Sequence, residues 1–333
     1  MKGFDFGEEK IKQEIGRLGA KRVLLQLPEG LKPEGPRLAR LVEETGAVPI
    51  ISADPCYGAC DVAQSEAESL GADFIVHFGH SKMLKETRVP TLYVEAKATV
   101  PVSKAVEQAV PLLRNYSKIG LAASVQHSEA MAEAKEVLTK AGKKVIVGSS
   151  GQLSFPGQVI GCNYSNVTSI ADKVEAFVFV GGGLFHGLGV ALSTSKPTVI
   201  ADPYDNRAFL VDDEAQKIIK QRWASIEEAR TAKTFGVIVG LKLGQKRLDE
   251  ALKTKDLARK HGVAAYLLAA REVTPETLLE FPSIEAYVNT ACPRISLDAA
   301  GKFSKPVLTV NEFKVAVGES SWESMLKKGL FES

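Results

Sequence analysis

RVLLQLPEG, residues 22–30, is an apolar run without polar alternation, closed by Pro28, Glu29 and Gly30. A strand buried on both faces reads this way, and such strands belong to parallel sheets covered by helices. Three runs of the same kind follow: VPIISADP (48–55), DFIVHFGHS (73–81) and PTLYVEAK (90–97). Between them lie helical patterns, GPRLARLVEETG (35–46) and DVAQSEAESLG (61–71), each ending on a glycine as a helix C-cap does. Strands alternating with helices indicate parallel α/β architecture.

The pattern then restarts twice. KIGLAASVQHS (118–128) opens a second set, continued by KKVIVGSS (143–150), AFVFVGGG (176–183) and PTVIADP (197–203). TFGVIVGLKLG (234–244) opens a third, continued by VAAYLLAA (263–270), EAYVNTACP (285–293) and PVLTVNEF (306–313). The 333 residues therefore divide into three similar α/β units, 1–105, 106–205 and 206–333, each a four-stranded, mainly parallel sheet flanked by helices. No Pro/Gly/Ser-rich linker separates them, so the expected arrangement is one body packed around a central site.

Composition narrows the function. A formal net charge of +2, with basic and acidic residues interspersed, gives no footprint for nucleic acid or an anionic membrane. No apolar run approaches the roughly 20 residues that span a bilayer. The opening MKGFDFGEEKIKQEIGRLGA has acidic residues and a helical period, not the pattern of a signal peptide. The expected address is cytoplasmic, where four cysteines serve as metal ligands, catalytic thiols or core fillers more often than as disulfides.

Ligands of open α/β sheets bind beyond the carboxyl ends of the strands. Cys56 and Cys60 follow the second strand of unit one, Cys162 lies in the long loop after the second strand of unit two, and Cys292 follows the third strand of unit three. Gln26, Glu29, His77, His80, Gln126, His127, His186, Lys242, Gln245 and Arg294 fall at the same edges. Three readings of the cysteines stand at this point. They are buried small hydrophobes; or they form a structural zinc clip, although only Cys56 and Cys60 are paired in sequence; or three thiolates hold an iron–sulfur cluster that leaves one iron open. GGGLFHGLG (181–189) lacks the spacing of a dinucleotide fingerprint; it is either a tight turn or a place where main-chain amides of Gly182 and Gly183 approach a ligand. No G-x-S-x-G or H-E-x-x-H pattern supports a serine hydrolase or a zinc protease.

DPCYGACD (54–61), GCN (161–163) and NTACPRISLD (289–298), with LPEGL (27–31) near the start, resemble the archaeal diphthamide synthases over essentially the whole chain. These are 2-(3-amino-3-carboxypropyl)histidine synthases, atypical radical S-adenosylmethionine enzymes. The resemblance implies a homodimer of three-domain chains, each domain giving one cysteine to a [4Fe–4S] cluster. It implies reductive cleavage of the S–Cγ bond of S-adenosylmethionine. The 3-amino-3-carboxypropyl group then goes to C2 of a histidine of translation elongation factor 2, the first step of diphthamide formation. An electron donor is implied as a further partner. Carried over by motif, the cluster ligands are Cys60, Cys162 and Cys292. Cys56 stands at the variable position of the first motif and is not one of them. Arg294, with Gly182 and Gly183 as rivals, is expected to meet the substrate carboxylate; His186 and Gln26 are expected near its ribose or amino group. Asp61 is expected to orient the Cys60 loop. The alternatives are a cluster enzyme of Lewis-acid type, as in quinolinate synthase, and a non-catalytic scaffold carrying zinc or a cluster.

Overall fold

The computed structural model describes residues 3–298 and 301–331. A short strand, β1 (Phe4–Asp5), precedes the first sheet, which is made of β2 (Arg22–Gln26), β3 (Val48–Ile51), β4 (Phe74–Phe78) and β5 (Thr91–Val94). Strand β6 (Lys97–Ala98) pairs antiparallel with β1. The second sheet contains β7 (Lys118–Ala123), β8 (Lys144–Val147), β9 (Ala176–Val180), β10 (Thr198–Asp202) and β11 (Arg207–Leu210). The third contains β12 (Thr234–Gly240), β13 (Ala264–Ala270), β14 (Ala286–Asn289) and β15 (Val307–Thr309).

The repeat seen in the sequence is a repeat of topology. The sheets run β3-β2-β4-β5, β8-β7-β9-β10 and β13-β12-β14-β15, so within each unit the strand order is second, first, third, fourth. All these pairings are parallel. The central strands β4, β9, β10 and β14 are buried at every position, as their unbroken apolar runs require.

The second sheet departs from the four-strand expectation. Its fifth strand, β11, returns antiparallel along β10 after the turn at Pro203–Asn206, where Asn206 adopts a left-handed conformation. It lies past residue 205, yet belongs to the second sheet. Helix Ser103–Ala109 spans the expected boundary at 105 and buries Ala105, Val106 and Ala109 in the core of the second unit. That unit therefore gathers chain from both sides of its expected limits.

The units pack as one body. One apolar core runs from the second unit (Phe177, Phe179, Leu188) into the third (Phe235, Val288, Phe313) and takes in Leu330 and Phe331. Arg222, on the connecting helix Asp212–Ala229, is buried in the third unit. It donates to Glu312 Oε1 and Oε2 at 2.8 and 2.6 Å and to the carbonyls of Ser296 and Val307 at 2.8 Å each. All four acceptors surround one guanidinium, which is how a buried cation is kept paired. The first unit meets the second where Gln126 and Gln158 donate to the Gly79 carbonyl (2.7 Å) and Ser81 Oγ (2.8 Å). It meets the third around Cys60.

Candidate active site

Each expected ligand thiol sits on a loop leaving the carboxyl edge of its sheet, as the strand–loop–helix pattern dictates. Cys60 ends the loop after β3. Cys162 sits in a tight turn closed by reciprocal main-chain hydrogen bonds between Ile160 and Asn163 (3.2 and 3.1 Å). Cys292 precedes helix Pro293–Asp298, and its carbonyl accepts the first bond of that helix from Ile295.

The structure brings these three loops together. Burial raises all three thiol pKa values, that of Cys162 to about 12. After burial, Cys292 and Cys60 are the next charges acting on Cys162, and Cys60 also acts on Cys292, so all three pairs lie within electrostatic reach. Gln245 Nε2 donates to Cys60 Sγ at 3.4 Å. Thiols that raise one another's pKa are poor company as bare thiolates. They suit a cationic metal group, which takes their protons' place.

The junction of the first and third units is built on Gly244. Its N–H donates to the Cys60 carbonyl at 2.9 Å, and a Cβ on it would stand 2.5 Å from Cys60 Cβ, so only glycine permits the approach. Beside it, buried Lys242 pairs with Asp61 (3.1 Å) and Glu272 (2.7 Å) and lies 4.2 Å over the Tyr57 ring. Burial raises the Asp61 pKa, against the pull of Lys242. Asp61 thus anchors the Cys60 loop to the third unit.

Arg294 lies beside Cys292, with its guanidinium 3.7 Å from the Phe185 ring centre and Nε donating to Asp298 Oδ2 at 2.8 Å. Its Nη1 is buried without a hydrogen-bond partner among the described residues. A buried, unpaired guanidinium N–H is costly unless something fills the place. A carboxylate there would satisfy it through the charge-assisted geometry that Arg favours. His186 stacks on Phe179 (5.8 Å) and meets the edge of Phe185 (4.8 Å). Burial, then Arg294 and His80, depress its pKa to about 3, so it is a neutral imidazole that can donate or accept.

Two expected contacts fall elsewhere. Gln26 is buried and bonded within the protein: its Nε2 donates to the Asp61 carbonyl (2.6 Å) and its Oε1 takes the Ala63 N–H (3.0 Å) and faces His77 Nδ1 (2.8 Å). It holds the Cys60 loop to β2. Gly183, in a left-handed turn, already donates its N–H to Asp202 Oδ2 (3.2 Å), and Gly182 packs against the Tyr204 ring. Arg294 is thus the better placed carboxylate donor. Phe185, Tyr164 and Phe331 around Arg294 were not singled out from the sequence. Only the position of Phe185 beside His186 signalled one of them.

Three parallel α/β units that bring three loop thiols within electrostatic reach, beside an arginine with one unpaired N–H group, have the build of a metal-binding protein with threefold organisation. The chain matches the family model described as "Putative diphthamide synthesis protein" over residues 27–326. It is 42% identical over 313 residues to the 2-(3-amino-3-carboxypropyl)histidine synthase of Pyrococcus horikoshii, covering 93% of this chain and 90% of that one. It is 31% identical over 330 residues to subunit 1 of the Homo sapiens 2-(3-amino-3-carboxypropyl)histidine synthase, covering 96% and 73%. The crystal structure of Dph2 from Pyrococcus horikoshii with a 4Fe-4S cluster superposes with a TM-score of 0.87 at 40% identity, covering 96% of this chain and 92% of that one. The chain belongs to the diphthamide synthesis family.

Proposed function

We propose that this chain transfers the 3-amino-3-carboxypropyl group of S-adenosylmethionine to C2 of a histidine of translation elongation factor 2. The observation that carries the reading is the mutual electrostatic reach of Cys60, Cys162 and Cys292, one from each unit, beside the unpaired Nη1 of Arg294. In this reading the three thiols hold a [4Fe–4S] cluster. When bound, the cluster supplies one electron and an iron open to S-adenosylmethionine.

The rest is the work of this chain's residues. Arg294 receives the α-carboxylate on its free N–H, with Phe185 stacked under the guanidinium and Asp298 fixing its other edge. Held there, the substrate presents one of its three C–S bonds to the centre, and orientation selects which one breaks. His186, neutral and half-buried, offers a hydrogen bond to the amino group or ribose. The Gly244 junction and the Lys242–Asp61 pair hold the Cys60 loop in place and keep water from that side.

The protein works in the cytoplasm as a pair of identical chains fed by a separate electron donor, with no nucleic-acid or membrane partner. Among the described residues no helix is long and apolar enough to cross a membrane. The test is label transfer under anaerobic, reducing conditions. Elongation factor 2 should gain label from S-adenosylmethionine labelled in the carboxyl carbon and none from the methyl-labelled compound. Transfer from the methyl group, or none from either, would refute the proposal.

A further inference from the structure

Beneath the loop that carries Cys60 lies a second group of ligand-type side chains, which the proposed reaction leaves unused. Cys56 Sγ, a ring nitrogen of His77 and a ring nitrogen of His80 all lie within 4.8 Å of one another. Cys56 and His77 are buried and His80 is half-buried. A tetrahedral zinc ion, with Zn–S about 2.3 Å and Zn–N about 2.0–2.1 Å, sets its ligand atoms roughly 3.3–3.6 Å apart. With all three atoms within 4.8 Å of one another, at most about 1.5 Å of each separation has to close to reach that spacing.

The neighbours orient the group as metal ligands are oriented. Gln26 gives its N–H to the Asp61 carbonyl, so its oxygen faces His77 Nδ1 at 2.8 Å and fixes the proton there. His77 therefore turns the lone pair of Nε2 toward His80 Nδ1, 3.0 Å away. A histidine whose far N–H is held by a carbonyl oxygen, leaving the near nitrogen bare, has the tautomer and the brace of a metal-bound imidazole. The carboxylates of Asp61 and Glu29 add negative field at the Cys56 sulfur, which favours a cation there. Glu29 acts on His80 in the same sense. Buried soft sulfur with two imidazoles is a donor set for zinc-class divalent ions, not for magnesium or calcium.

We propose that Cys56, His77 and His80 bind one zinc-class divalent ion through one thiolate sulfur and two imidazole nitrogens, with the fourth position open to water or a ligand. Binding releases the Cys56 thiol proton. The ion ties the loop 54–61 to the end of β4, beside the hold that Gln26 already exerts. The proposal does not rest on the reading of Cys60, Cys162 and Cys292 as cluster ligands.

The full chain, purified anaerobically and dialysed against limiting zinc, is assayed for zinc and iron and examined by zinc K-edge X-ray absorption. The expected result is about one zinc per chain with one sulfur near 2.3 Å and two nitrogens near about 2.0–2.1 Å. Cys56→Ser and His80→Gln should each cut zinc to under about a tenth of that while iron stays. The Cys60→Ala/Cys162→Ala/Cys292→Ala chain should lose iron and keep zinc, which separates this site from the cluster reading. A three-sulfur zinc shell would overturn the proposal, because the ion would then sit on the other thiols. So would zinc binding that survives both Cys56→Ser and His80→Gln, or no retained zinc at all. If the variants misfold by circular dichroism, the ligand shell of the unaltered chain decides the matter by itself.

Discussion

Cys60→Ala, Cys162→Ala and Cys292→Ala are each expected to lower bound iron and abolish product, whereas Cys56→Ala keeps both; iron per chain and label transfer check this. The grounds are the grouping of Cys56 with His77 and His80, within 4.8 Å of one another, while Cys60, Cys162 and Cys292 act on one another. Arg294→Ala should weaken S-adenosylmethionine binding with the iron retained, by about 1.5–3 kcal/mol, or about 10- to 150-fold, the scale of a lost charged hydrogen bond. Equilibrium dialysis against the loaded protein measures it. At this scale much of the site was legible, because cysteines at strand ends in three repeats point to one edge. The commitments of Gln26 and Gly183 were not legible. Each depends on a partner, the Asp61 carbonyl or Asp202, that no local spacing announces.

At the scale of elements, the junction of loop 54–61 with loop 241–245 controls the first ligand. Gly244→Ala places a methyl group 2.5 Å from Cys60 Cβ against a main-chain contact that cannot swing away. It is expected to destabilise the chain by about 1–3 kcal/mol and to lower iron retention. Chemical denaturation and iron content read the two effects. The twelve sheet strands were legible from RVLLQ to PVLTV because each is a short apolar run, whether buried throughout like β4 and β9 or half-exposed at an edge like β3 and β13. Strand β11 was not, since RAFL opens on an exposed arginine and follows β10 after a tight turn, so no separate apolar run announces it. The boundary at 105 missed helix Ser103–Ala109, whose place in the second unit is made by tertiary packing.

At the scale of the molecule, burial makes stability depend on pH. His127, packed against Tyr204 in the turn that leaves the carboxyl end of β7, has its pKa lowered to about 4 by burial, in spite of Asp202. Its unfolded value is about 6.5, so above that pH both states are neutral and the group contributes no slope. As pH falls below about 6.5 the unfolded chain takes the proton and the folded one does not. Stability then drops by up to about 1.4 kcal/mol per pH unit until about pH 4. His77, His80 and His186 are shifted the same way, so His127→Gln should remove only its own share of that slope, up to about 1.4 kcal/mol per pH unit, as followed by denaturation at stepped pH. The threefold organisation was legible at this scale because the pattern restarts at residues 118 and 234. The way the C-terminal residues Leu330 and Phe331 close over the second unit was not, because it follows from shape complementarity alone.

The measurement that bears most directly on the whole account is the EPR spectrum of the anaerobically purified, dithionite-reduced protein, recorded with and without S-adenosylmethionine. The account predicts a reduced [4Fe–4S] signal that changes when S-adenosylmethionine is added. An iron-free protein after anaerobic reconstitution, or a cluster signal indifferent to S-adenosylmethionine, would contradict it.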